Sequence, residues 1–217
     1  MTKLNGNIHK ELKDGMVHVT ETYDEPRYTP RIWGNCEWEC ENTINEIKES
    51  CKINVPRGDY KSLTTFEINY DELTGKTLAE DLEIFQKLLD KEFGKDQYEA
   101  FVLGAYIHSG TSFSVNKTGN HVCQWDSSQL GFIGLKKNVE DCYSAEHPDK
   151  VAEMLTAAWE GEFNEYQVID NLTDECAVTE NGDYESLTTC DYKEAQEWCD
   201  KMEQKYGISF DNVNPIY

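Results

Sequence analysis

The chain has 217 residues, 38% of them apolar and 12% aromatic, with 42 Asp and Glu against 20 Lys and Arg for a formal net charge of −22. That apolar and aromatic content excludes a chain disordered throughout and suffices for a sizeable core. No window approaches the roughly 18 apolar residues that cross a bilayer, and Met1 to Gly6 carries no apolar signal core, so a soluble, intracellular protein is expected.

Met16 to Thr22 alternates as a strand does, and the prolines of Glu25-Pro26 to Pro30-Arg31 then predict a loop. Ile44, Ile47 and Cys51 recur at helical spacing, predicting a short helix over 42–51 that Pro56 and Gly58 end. Thr64, Phe66, Ile68 and Tyr70 alternate with polar neighbours, which predicts a half-buried strand before a turn at Thr74-Gly75. Thr77 and Glu80 form a capping box for a helix from Leu78 to Phe93 closed by Gly94, with Leu82, Phe85 and Leu89 on one face. Glu99 to His108 is almost uniformly apolar, the pattern of a strand covered on both faces. Thr111 to Val115 and Gln129 to Leu135 read as two more strands, separated by the polar loop Asn116 to Asn120.

Pro148 suits a first helical turn, and Val151, Met154, Leu155, Ala158 and Trp159 form a stripe that Gly161 ends. Tyr166 to Leu172, Cys176 to Thr179 and Tyr184 to Thr189 follow as strands, the last two joined across Asn181-Gly182 in a tight hairpin. Asp191 and Glu194 box a final helix whose expected core face is Tyr192, Ala195, Cys199, Met202 and Tyr206. Without a repeat or a Pro/Ser-rich linker, these elements predict one α+β domain over residues 1–217, built on an antiparallel or mixed sheet with segregated helices.

Eight cysteines in a long chain without a signal peptide predict reduced thiols rather than disulfides. A zinc site can be drawn from Cys36, Cys40, His121 and Cys123, but neither pair has the C-x-x-C spacing of a knuckle, which favours buried thiols and no bound metal or cofactor. The carboxylates Asp170, Asp174 and Glu175 are a minor candidate for a divalent cation, since the twelve-residue calcium-loop pattern does not occur. Two glycosylation sequons, at Asn116 and Asn171, are chance matches in an intracellular chain.

Two polar clusters sit at strand ends, Tyr106-Ile107-His108-Ser109-Gly110 and Cys123-Gln124-Trp125-Asp126-Ser127-Ser128-Gln129. A hydrolase can be drawn from them, with His108 as base, Asp126 as orienter and Ser109, Ser127 or Cys123 as nucleophile. No nucleophile elbow or protease signature supports that drawing, and the alternative is that Asp126 and Ser127 cap a turn. Walker and dinucleotide motifs are absent and the basic residues are scattered, which argues against direct nucleic-acid binding.

The strongest compositional signal lies at residues 138–192, where fifteen Asp and Glu face a single Lys150, a net charge of −14. The aromatics Tyr143, Trp159, Phe163, Tyr166, Tyr184 and Tyr192 in the same stretch mark it as folded. Glu160, Glu162, Glu165, Asp170, Asp174, Glu175, Glu180, Asp183 and Glu185 have no basic residue between them in sequence. A folded surface of carboxylates can occupy the Lys/Arg groove that a protein uses to neutralise phosphates, so these nine are the candidate partner-binding residues. The alternative is a well-solvated acidic surface.

Pro30-Arg31-Ile32-Trp33, His108-Ser109-Gly110 and Trp125-Asp126-Ser127-Ser128-Gln129-Leu130-Gly131, in this order, resemble a family of proteins encoded by bacteriophages and mobile elements. The chain departs from that pattern at Gly34-Asn35-Cys36-Glu37 and at Ser128, where the family pattern has Asp-Asn-Leu-Gly and glycine. The family has no established activity, so the resemblance carries over no catalytic residue. It implies a genomic setting, in the cytoplasm of a bacterial host, where small acidic proteins inhibit defence nucleases. The sequence thus leads to an acidic DNA mimic that occupies the basic groove of a restriction or CRISPR nuclease. The alternatives are a hydrolase-like enzyme and a structural or partner-binding phage protein.

Overall fold

A computed structural model describes residues 7–13, 16–22, 26–55, 63, 73, 75, 77–119, 125–139, 143–211 and 213–216, with backbone alone for 7–13 and 16–22. The strands are β1 Asn7–Lys13, β2 Met16–Thr22, β3 Tyr28–Trp33, β4 Lys52–Asn54, β5 Tyr98–Ile107, β6 Thr111–Asn116, β7 Ser127–Lys136, β8 Asn164–Asp170, β9 Glu175–Cys176 and β10 Ser186–Thr189. The helices are α1 Glu37–Ser50, α2 Leu78–Phe93, α3 Pro148–Glu160 and α4 Tyr192–Tyr206. The fold is α+β with antiparallel strand pairing, as the patterning predicts. Its residues gather into two compact units, one of residues 34–164 and one of residues 1–33 with 165–216.

In the unit of residues 34–164 the strand order is β4-β7-β5-β6. The apolar run of β5 is covered on both faces, because successive side chains point to opposite sides of a strand. Phe101, Leu103 and Ala105 pack with Ile47 of α1 and Val151 and Leu155 of α3, whereas Ala100 and Val102 pack with Phe85 and Leu89 of α2. Each large side chain removed from water in this way contributes about 1.5–3 kcal/mol. Close approach of α2 depends on Gly134, where a Cβ would lie 2.8 Å from Leu89 Cδ1. The expected capping box starts α2: Thr77 Oγ1 accepts from Glu80 N at 3.3 Å, and Thr77 N donates to Glu80 Oε2 at 3.1 Å.

Side chains meet the start of β5 and the outer edge of β6. Beyond the reach of β6, Ala100 N donates to Gln86 Oε1 at 2.9 Å, and Gln86 Nε2 donates to Tyr98 O at 2.9 Å. On β6, Phe113 N donates to Thr156 Oγ1 at 2.9 Å and Thr111 N to Glu160 Oε1 at 2.6 Å. Thr156 and Glu160 are one helical turn apart on α3, so the helix presents acceptors to two alternate amides of the edge, Thr111 and Phe113.

In the unit of residues 1–33 and 165–216, β1 pairs with β2, and a second sheet has the order β10-β8-β3 with β9 against β8. Its core is Ile32, Val168, Ala177, Cys199, Met202 and Phe210. Asp191 Oδ1 caps α4 by accepting from Lys193 N and Glu194 N, while Glu194 Oε2 accepts from Thr189 Oγ1 at 2.6 Å and Thr189 Oγ1 accepts from Asp191 N. The predicted box is therefore closed through Thr189. Ala195, Cys199 and Met202 face the core as predicted, but Tyr192 is exposed at the helix start.

Three further expectations change. Tyr28–Trp33 is a strand rather than a loop, because Pro30 lies on an edge strand, where a missing amide is tolerated. Helix α1 begins at Glu37, five residues earlier than its apolar spacing marks, since Cys36 occupies the N-cap without a side-chain cap while Glu37 and Glu39 favour the first turn. The strand β1 was not expected. The strand expected over 64–70 and the end of the Asn116–Asn120 loop lie outside the described residues.

Candidate functional sites

The two polar motifs meet at one end of the β5–β6–β7 sheet. His108-Ser109-Gly110 is the turn between β5 and β6, closed by His108 N donating to Gly110 O at 3.1 Å. Ile107 N donates to Asp126 O at 2.8 Å, and Tyr106 pairs with Ser127. His108 and Ser109 are exposed and Asp126 and Ser127 half-buried, with the His108 ring stacked 6.3 Å from that of Tyr106. Trp125 beside them is 88% exposed. A Cβ on Gly110 would sit 3.0 Å from Glu160 Oε2, so glycine leaves the carboxylate room to hold Thr111. The Ile107 N to Asp126 O bond joins the motifs through main-chain atoms. Cys123, the third candidate nucleophile, lies outside the described residues.

The nine candidate carboxylates separate by what the fold does with them. Glu185 is a correction: it is 5% exposed and carries Lys205 Nζ and Tyr206 Oη, the latter at 2.9 Å. It sits at the bend between Tyr184 and β10 with its side chain buried, where a carboxylate requires partners. Hydrogen bonding to Glu185 in turn holds the Lys205 ammonium above its ordinary pKa. Asp170 accepts from Arg27 Nη2 at 3.1 Å and from Leu172 N at 3.0 Å, and the Arg27 guanidinium chiefly holds its carboxyl below the usual range. Asp174 lies 4.0 Å from Arg31 Nη2. Local cancellation, absent from the sequence neighbourhood, thus comes from β3 and its approach, and these guanidiniums stand where a divalent cation was considered.

Glu160 is committed to the β6 edge and Glu165 accepts from Gln167 Nε2 at 2.8 Å. Glu162, Asp174, Glu175, Glu180 and Asp183 are exposed. Among these, Glu180 and Asp183 belong to the hairpin tip. Gly182 N donates to Thr179 O at 3.0 Å, Thr179 Oγ1 accepts from Asn181 N and Asp183 N, and Gly182 takes φ 88°, a conformation glycine adopts without strain. Thr179 N to Asp183 O and Glu185 N to Ala177 O, both 2.7 Å, bracket the opposed pair Val178 and Tyr184. Residues between two such bonds form the closely spaced kind of antiparallel pair. Val178 is 55% and Tyr184 68% exposed. The sequence reading named the acids but missed this apolar pair, because a two-residue turn at Asn181-Gly182 would set Thr179 opposite Tyr184, whereas the observed turn is longer and pairs Val178 with Tyr184.

The six described cysteines are free thiols. Burial raises Cys40 and Cys176 and pushes Cys199 up to about 11, so these thiols stay protonated and unreactive near neutrality. His121 and Cys123 of the drawn zinc site lie outside the described residues, and among the described residues no three His, Cys, Asp or Glu side chains gather as metal ligands. Asn171 Nδ2 donates to Pro26 O at 2.6 Å, tying the end of β8 to the approach to β3, and Asn116 Oδ1 accepts from Gly119 N at 2.7 Å within a turn. No helix among the described residues is long and apolar enough to cross a membrane. No protein-family model, curated protein or solved structure matches the chain.

Proposed function

We propose that this protein binds the basic, nucleic-acid-handling groove of another protein, as an acidic mimic of the nucleic acid, and that it acts as a phage or mobile-element inhibitor of a host defence nuclease. The observation that carries this reading is the exposed Val178–Tyr184 pair in the same stretch of chain as exposed Glu175, Glu180 and Asp183. A merely solvated acidic surface needs no apolar centre, whereas protein interfaces combine buried aromatic anchors with a polar rim. The phage setting and the nuclease rest on the family resemblance and on the charge.

The test is capture of partners from a bacterial host lysate at low and high salt, comparing wild type with the triple variant Glu175→Lys, Glu180→Lys, Asp183→Lys. Each reversal adds two charges, taking the net charge from −22 to −16. Wild type should retain a nucleic-acid-binding protein that salt or competing DNA releases. The folded triple variant should lose about 100-fold in affinity, roughly 2.7 kcal/mol. Unchanged capture by that variant counts against the reading.

The junction of Ile107 with Asp126 favours a second reading, a hydrolase-like site using His108, Asp126 and Ser127. It requires a substrate whose turnover Asp126→Asn abolishes while partner capture is unaffected.

A further inference from the structure

The chain contains three arginines, Arg27, Arg31 and Arg57. The two that are described share one arrangement. The Arg27 guanidinium carbon lies 5.0 Å from the Tyr28 ring centre while Nη2 holds Asp170 at 3.1 Å. The Arg31 guanidinium carbon lies 5.8 Å from the Trp33 ring centre with Nη2 4.0 Å from Asp174. In each case a planar cation sits between an aromatic face and a carboxylate.

At the hairpin tip the same two partners occur without the cation. Tyr184 presents its ring to solvent, held beside Val178 by the backbone bonds on either side, and Glu180 and Asp183 are exposed at the same hairpin tip. Among the described residues, no salt bridge reaches Glu180 or Asp183, and no arginine or lysine lies over the Tyr184 ring. We infer that this hairpin docks an arginine-bearing segment of a basic protein partner, stacking a guanidinium on Tyr184 and pairing it with Glu180 or Asp183, in preference to lysine.

The preference follows from the cations. A guanidinium is planar and weakly hydrated, so it stacks on a ring and still donates in its own plane to a carboxylate. An ammonium is compact and strongly hydrated, and gains from the carboxylates chiefly as a point charge. This inference rests on the proposed acidic-mimic reading and specifies which basic side chain the surface selects.

The experiment is fluorescence anisotropy of labelled hexa-arginine and hexalysine peptides titrated with the intact protein at low salt. Wild type should bind hexa-arginine about threefold to tenfold more tightly. Tyr184→Leu should bring that ratio near unity with hexalysine affinity unchanged, and Tyr184→Phe, which keeps the ring, should retain it. Near-ultraviolet circular dichroism confirms that the variants fold. Equal affinities in wild type, or a preference that persists in Tyr184→Leu, overturn the inference alone. Failure of both peptides to bind overturns it together with the electrostatic basis of the proposed function.

Discussion

Glu160 and Glu180 stand twenty positions apart in one acidic stretch and have opposite fates. In the unit of residues 34–164, Glu160 is spent on the β6 edge, where its carboxylate holds the Thr111 amide. In the other unit, Glu180 projects from a hairpin whose apolar pair is also open to solvent. The difference shows that a count of charges is not a count of available charges. Glu160, Asp170 and Glu185 are engaged by an amide, an arginine and a lysine that sequence proximity does not reveal.

The sharpest way to break this division is Glu185→Ala. It leaves Tyr206 Oη and Lys205 without their buried acceptor and should cost about 2–3 kcal/mol in urea unfolding, whereas Glu180→Ala should stay within about 0.5 kcal/mol. A comparable loss in both would erase the distinction between structural and surface carboxylates. A smaller effect is expected from Thr156→Val, which keeps shape but removes the acceptor for Phe113 N, at about 1–2 kcal/mol by the same measurement.

The smallest effect concerns acid. Asp170 is depressed in the folded state, so its contribution is present above the unfolded value and lost as pH falls through the folded one. Stability curves of wild type and Arg27→Ala should therefore be separated near neutrality and converge below about pH 4. A gap that persists in strong acid would mean that Arg27 acts through packing on Tyr28 instead.

Helices α2, α3 and α4 were legible because their stops and starts are local: Thr77 with Glu80, Pro148 with Gly161, and Asp191 with Gly207. The strand β5 was legible because burial on both faces leaves an unbroken apolar run. β3 was hidden by Pro30, whose edge position depends on pairing with β8, more than a hundred residues later. The site was half legible for the same reason. Sequence located the acids and the two polar motifs, but the partners of Asp170 and Glu185 and the junction of Ile107 with Asp126 come from tertiary pairing.

The α3 acceptors on β6 also bear on how the protein behaves when crowded. At low ionic strength, a net charge of −22 keeps copies apart, but that repulsion is screened within about 8 Å at physiological salt. An open strand edge would then template strand addition between molecules and lead toward fibrils. With the Thr111 and Phe113 amides occupied by Glu160 and Thr156, that edge offers an incoming strand no free donor at either position, so resistance to polymerisation here is geometric and survives the salt that removes the charge.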